Sequence, residues 1–159
     1  MRVLLALPFV IIAGIASISS KPTETKPLTG CLIEGDSIAV GVGSLLPECR
    51  TDAKVGIGSA AFAATRTANV SNDLVVISLG SNDGSRDTTA EMETVRSRVT
   101  ARRVVWILPA VGARKSAWIV ASMHGDEVLD IWGKTGPDGV HPTTTEYKTL
   151  ATKVRGGNQ

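Results

Sequence analysis

With only two histidines and two cysteines in the chain, and no HExxH or CxxC spacing, there is no basis for a metal centre. No cofactor is expected either. Aromatic residues are scarce, at 4%, and the net charge is only +2. No basic run interleaves with aromatics, so the footprint of a nucleic-acid binder is missing. There is no internal repeat. Long apolar sequence is confined to Val3–Ile18. What remains is a chain of 159 residues, 43% of them hydrophobic, long enough for one domain with a real core and too short for two.

The N-terminal run follows Arg2 and ends at Ser19-Ser20, with small residues at Gly14-Ile15-Ala16 and Ser17-Ile18-Ser19. This is the layout of a secretory signal peptide over residues 1–20, and its rival is a retained membrane anchor of nearly spanning length. Either version places the domain outside the cytoplasm, periplasmic or secreted, and allows membrane contact only through an uncleaved N-terminal segment. Residues 21–29, rich in Pro, Thr and Lys, are expected to form an extended linker. The domain is expected over 30–155, with a disordered tail at 156–159. Leu28-Thr29-Gly30-Cys31 matches a lipobox, but charged residues separate it from the apolar run, which makes it a chance match.

Within the domain, apolar runs alternate with helix-like segments. Strands are expected at Cys31–Glu34, Thr51–Val55, Leu74–Leu79, Val104–Leu108 and Val128–Ile131. Helices are expected at Ile38–Leu46, Ala60–Ala68, Thr89–Ala101, Ala113–Met123 and Thr144–Val154. Such alternation predicts an α/β fold: a three-layer, doubly wound, flavodoxin-like sheet of about five parallel strands in the order 2-1-3-4-5.

Four fragments carry chemistry: Gly35-Asp36-Ser37, Gly56, Gly80-Ser81-Asn82-Asp83 and Asp138-Gly139-Val140-His141. Each of the first three directly follows an expected strand, and the fourth follows one by a short Gly/Pro loop. Ligands bind beyond the carboxyl ends of such strands, where strand order reverses, so the fragments are expected to converge there. In this order they resemble the blocks of the SGNH hydrolases, also called GDSL esterases, over about Cys31 to Val154. Gly35-Asp36-Ser37-Ile38-Ala39-Val40-Gly41 matches the first block, Gly80-Ser81-Asn82-Asp83 the third and Asp138-Gly139-Val140-His141-Pro142 the last. The second block is the loosest match: Val55-Gly56-Ile57-Gly58-Ser59 offers two glycines, with Gly56 favoured and Gly58 a substitute.

The resemblance implies the SGNH fold and a serine esterase. In it Ser37 is the nucleophile, His141 its base and Asp138 the acid that orients the imidazole. The backbone N–H groups of Ser37 and Gly56 and the side-chain amide of Asn82 would be the oxyanion donors. Each residue also has a structural reading. Asp36 or Ser37 suits a helix N-cap, Asn82-Asp83-Gly84 suits a turn, and His141-Pro142 suits the entry to the last helix, with Thr143 or Thr144 as its cap. His124 reads as a loop residue without a partner.

Two nucleotide-binding patterns fail. Gly56-Ile57-Gly58-Ser59-Ala60-Ala61 lacks the acidic residue at the end of the following strand, which closes Ser78-Leu79-Gly80, and Gly133-Lys134-Thr135 has Val128 where a phosphate loop needs its leading glycine. In an oxidising compartment Cys31 and Cys49, at the starts of strands expected to be neighbours, are placed to form a disulfide.

The substrate follows from the resemblance: a small acyl ester, above all an O-acetyl group on carbohydrate or peptidoglycan. Short connections leave no material for a lid over a long acyl chain. A lysophospholipase or thioesterase of the same fold is the alternative, and a non-catalytic envelope or virion-associated binding protein a third. Trp132, just before the loop of Asp138, reads either as core or as a sugar-stacking surface. Arg86 reads as a solvated residue or as a contact for an anion. Oligomeric state is not legible.

Overall fold

The computed structural model describes residues 30–156. The expected signal or anchor segment at 1–20, the linker at 21–29 and residues 157–159 lie outside the described residues. No helix among the described residues is long and apolar enough to cross a membrane.

Strands β1 (Cys31–Gly35), β2 (Arg50–Ala53), β3 (Val70–Ser78), β4 (Val99–Leu108) and β5 (Glu127–Asp130) alternate with helices α1 (Ser37–Gly43), α2 (Ser59–Thr65), α3 (Thr89–Arg96), α4 (Arg114–His124) and α5 (Thr144–Gly156). The strands form one sheet ordered β2-β1-β3-β4-β5, and every neighbouring pair is parallel. Side chains of the central strands alternate between two cores, as the two-residue period of a strand requires. Leu32, Val75, Ile77, Val104, Trp106 and Leu108 join Phe62, Met92 and Val120 beneath α2, α3 and α4. Ile33, Leu74, Val76, Val105 and Ile107 join Ile38, Val42, Leu150 and Val154 beneath α1 and α5. Both faces of the sheet are therefore covered, which explains why its strands read as continuous apolar runs.

Several boundaries differ from the sequence expectation. The third helix stops at Arg96 rather than Ala101, because Val99, Thr100 and Ala101 pair with Val70, Ser71 and Asn72 as the start of β4. The same pairing starts β3 at Val70 rather than Leu74. Strand pairing wins over helical periodicity here because β-branched Val99 and Thr100 fit a pleated sheet. α1 and α2 end earlier than expected, at Gly43 and Thr65. β2 closes at Ala53, which leaves Val55 outside it and 68% exposed. α5 runs through Gly156, one residue into the expected tail.

Cys31 and Cys49 form a disulfide. It ties the first residue of β1 to the residue before β2 across a sequence separation of 18. Closing a loop of that size constrains the unfolded chain by roughly 3 kcal/mol. Two results are expected from this bond. Thiol titration of denatured, unreduced protein should find no free thiol, and the double Cys→Ser variant should lose about 3 kcal/mol in urea unfolding.

Candidate active site

β1 lies between β2 and β3, so the direction of the sheet's winding reverses at the β1/β3 boundary. That is where a crevice forms beyond the carboxyl ends of the strands. β1 ends at Gly35, with φ +135. The Asp36 N–H donates to the Ser78 carbonyl at 2.9 Å, and the Lys54 N–H donates to the Gly35 carbonyl at 2.9 Å. The chain is thus clamped on both sides as it leaves the sheet.

Asp36, fully buried, is the N-cap of α1 and accepts from the Ile38 N–H at 3.0 Å. Its carboxylate also accepts from Ser78 Oγ at 3.2 Å and from the Ser81 N–H at 3.4 Å. Burial pushes its pKa up, against the pull of those donors. Because Asp36 takes the cap, Ser37 becomes the first helical residue, with its hydroxyl free for other partners. Its N–H has no acceptor among the described residues, as expected in the first turn of a helix.

Ser37 Oγ lies 2.8 Å from His141 Nε2, across 104 residues of sequence. On the far side of the ring, His141 Nδ1 lies 2.7 Å from Asp138 Oδ2. Asp138 Oδ1 accepts from the Val140 N–H at 2.9 Å and the His141 N–H at 3.0 Å. Those backbone and ring donors, with the Val140 N–H contributing most, hold the Asp138 pKa down at about 2. Asp138 is therefore ionised throughout the neutral range and fixes the imidazole's orientation.

The loop bearing this pair is pinned at its base. The Gly136 N–H donates to the His141 carbonyl at 2.8 Å, the Thr143 N–H donates to the Lys134 carbonyl at 3.2 Å, and Thr135 bridges Pro142. Thr143 Oγ1 accepts from the Glu146 N–H at 3.2 Å, so the cap at the start of α5 and the His141 loop are parts of one structure.

Asn82 sits in the turn after β3. Its Nδ2 donates one hydrogen to the Ile57 carbonyl at 3.0 Å, leaving its second hydrogen for another acceptor. This bond ties the Asn82 turn to the Gly56 loop. Asp83, 3% exposed, strengthens the tie: it accepts from the Ser59 N–H at 2.9 Å, from Ser59 Oγ, and from Thr88 Oγ1 at 3.4 Å. The two glycines of the second block separate clearly. Gly58 caps α2, and a Cβ there would lie 2.7 Å from Asp83 Oδ1. Gly56, at φ +78, faces nothing within 4 Å, and its N–H has no acceptor among the described residues.

Sequence reasoning missed three supports. Ser59 and Asp83 join the Gly56 loop to the Asn82 turn. Tyr147 packs on Gly41, where a Cβ would sit 2.5 Å from its ring. Burial, with smaller contributions from the charges of Asp36 and Asp138, pushes the Tyr147 hydroxyl to about 12. The only hint in the sequence was Gly41 itself, which closes the first block. Arg86 is 65% exposed and 3.6 Å from Asp83, which fits the solvated reading. His124 differs from expectation: it ends α4, and its Nε2 lies 2.8 Å from Glu93 on α3.

Glu34, two residues before Asp36, is 4% exposed. Burial, aided by Asp52 and opposed by Arg66 and Arg50, pushes its pKa from the ordinary 4.5 up to about 7. The folded state therefore holds this proton more tightly than the unfolded state, so the stabilisation is complete below pH 4.5 and disappears as pH rises through about 7. The loss amounts to about 3 kcal/mol at most. In Glu34→Gln this pH dependence should vanish. Urea midpoints at pH 5 and pH 8 should differ less in the variant than in wild type.

Neither a protein-family model nor a curated protein matches the chain. Solved structures do match it. A GDSL-like lipase from Bacteroides thetaiotaomicron superposes with a TM-score of 0.52 at 16% identity, covering 77% of this chain and 83% of that one. A Bacteroides fragilis protein assigned as an acylhydrolase gives 0.52 at 17% identity, covering 84% and 86%. The C-terminal catalytic domain of Streptococcus pneumoniae peptidoglycan O-acetyltransferase A gives 0.51 at 14% identity, covering 79% and 93%. The chain has the SGNH/GDSL hydrolase fold: a five-stranded parallel sheet between helical layers.

Proposed function

We propose that this chain is an SGNH-type serine esterase that hydrolyses small acyl esters, with O-acetyl groups on carbohydrate or peptidoglycan as its natural substrates. The observation that carries the reading is the continuous hydrogen-bonded line from Ser37 Oγ through His141 to Asp138, with links of 2.8 Å and 2.7 Å. Ser37 opens α1 and Asp138 and His141 lie on the loop between β5 and α5, so the fold brings two distant segments together to assemble it, and no structural role is evident for a serine–imidazole contact at a half-exposed histidine.

In this reading His141 Nε2 takes the Ser37 hydroxyl proton as Oγ attacks the acyl carbon. The carbonyl π electrons move onto oxygen, and the N–H groups of Ser37 and Gly56 with Asn82 Nδ2 stabilise that charge. Collapse of the intermediate breaks the bond to the alcohol, which leaves with the proton from the imidazolium. Water, deprotonated by His141, then attacks the acyl-serine, and a second collapse releases the acid and restores Ser37. Asp138 remains ionised throughout and stabilises each imidazolium.

The side chains of His141 and Asp138 are 43% and 53% exposed. An open site of this kind suits a small acyl group on a bulky alcohol better than a long acyl chain, which needs an apolar tunnel. The likeness to a peptidoglycan O-acetyltransferase domain supports acetyl as that group. The N-terminal apolar run supports action outside the cytoplasm. A fluorophosphonate probe tests the reading directly. It should label folded wild type and fail to label Ser37→Ala. A folded wild type that resists the probe would instead indicate a binding protein on an esterase fold.

A further inference from the structure

Trp132 differs from an ordinary surface tryptophan. A single exposed apolar side chain is ordinary on a protein surface, but Trp132 is also held in place. It is 66% exposed, whereas Trp106 is fully buried, with its indole N–H donating to Asp126 at 3.0 Å. The core reading of Trp132 is therefore wrong.

Its backbone and ring are both held. The Trp132 N–H donates to Asp130 Oδ1 at 2.8 Å. The same carboxylate receives the Arg114 guanidinium, Nη1 lying 2.6 Å from Oδ1. Arg114 Cζ in turn lies 5.8 Å from the centre of the Trp132 ring. One face of the indole thus rests on a cation that is itself fixed by a fork to Asp130, an arrangement that costs little entropy when a ligand takes the other face.

The ring belongs to the catalytic loop. Trp132 and Gly133 form the turn closed by the Lys134 N–H to the Ile131 carbonyl at 3.0 Å, and Lys134 begins the segment paired back to Thr143 beside His141. The surroundings are polar: Lys134 Nζ donates to the Asp130 carbonyl at 3.0 Å and pairs with Glu146 at 3.4 Å. An acyl chain would find no continuous apolar groove here. A sugar ring, with an apolar face of C–H groups and a polar rim of hydroxyls, matches an indole ringed by fixed charges.

Building on the esterase reading, we infer that Trp132 is a stacking platform for a pyranose ring of the substrate's alcohol portion, prepositioned by Arg114 and Asp130. It makes Trp132 a specificity residue rather than a catalytic one.

The test is binding of penta-N-acetylchitopentaose to the full chain, measured by isothermal titration calorimetry. This probe carries amides in place of esters, so no turnover is needed. Wild type should bind it, Trp132→Ala should bind at least tenfold more weakly, and Trp132→Phe should recover most of the affinity. Trp118→Ala, which removes the other exposed indole (55% exposed, on α4), should bind as wild type does. No binding by wild type, or equal binding by Trp132→Ala, overturns the platform. Because the readout is independent of Ser37, failure of the platform and failure of the esterase reading are distinguishable. An inert enzyme that still binds glycan through Trp132 would refute the second alone.

Discussion

Ser37→Ala should hydrolyse p-nitrophenyl acetate at least a thousandfold more slowly than wild type, and His141→Ala should fall by a similar factor. The reason lies in the 2.8 Å contact between the two residues. Without the imidazole, the serine hydroxyl keeps its proton and is a poor nucleophile near neutral pH; without the hydroxyl, the imidazole has no attacking atom to activate. The two losses should not add, and the double variant should be no worse than either single one. What remains should be the contribution of the oxyanion donors. Asp138, with its pKa held at about 2, stays ionised across the pH range of the assay. Activity in Ser37→Ala equal to that of wild type would remove the catalytic reading.

Gly35→Ala should produce the largest loss of stability among the substitutions proposed for this protein. A Cβ at this position would lie 1.8 Å from the Ser78 carbonyl oxygen, 2.7 Å from its carbon and 3.1 Å from its nitrogen. These are backbone atoms of β3 and cannot move without breaking the Asp36 N–H bond to the same carbonyl. The φ of +135 adds strain for any side chain. The combined cost exceeds about 4 kcal/mol, in the range where single substitutions unfold small domains. Thermal unfolding should show a drop of roughly 10 °C or more. A melting temperature within two or three degrees of wild type would show that β1 and β3 separate easily, which contradicts the clamp described above.

Gly35 is legible in a sequence as part of a block, but its physical necessity is a contact between two strands that are 43 residues apart at Gly35 and Ser78. Ser37 had two competing readings, cap and nucleophile. In the structure Asp36 is the cap, and the Ser37 hydroxyl contacts His141. The choice between Gly56 and Gly58 had no local signal; packing against Asp83 assigns Gly58 to the α2 cap and leaves Gly56 facing open space. The helix expected to reach Ala101 was misread because periodicity is local, whereas the partner of Val99 is Val70 on β3. Trp132 was ambiguous because an apolar residue at a strand end is compatible with either core or surface.

The sequence by itself determined the class of fold and the order of its elements, because apolar runs separated by helical patterns permit few arrangements other than a covered parallel sheet. It also determined which residue types stand at the strand ends, and hence which residues meet at the candidate site. Only the tertiary structure decided which donors remain free, which glycine is open, how the Asn82 turn is tied to the Gly56 loop and which tryptophan stays outside. Those outcomes depend on distances between groups far apart in the chain, and such distances are set by packing, which local sequence does not encode.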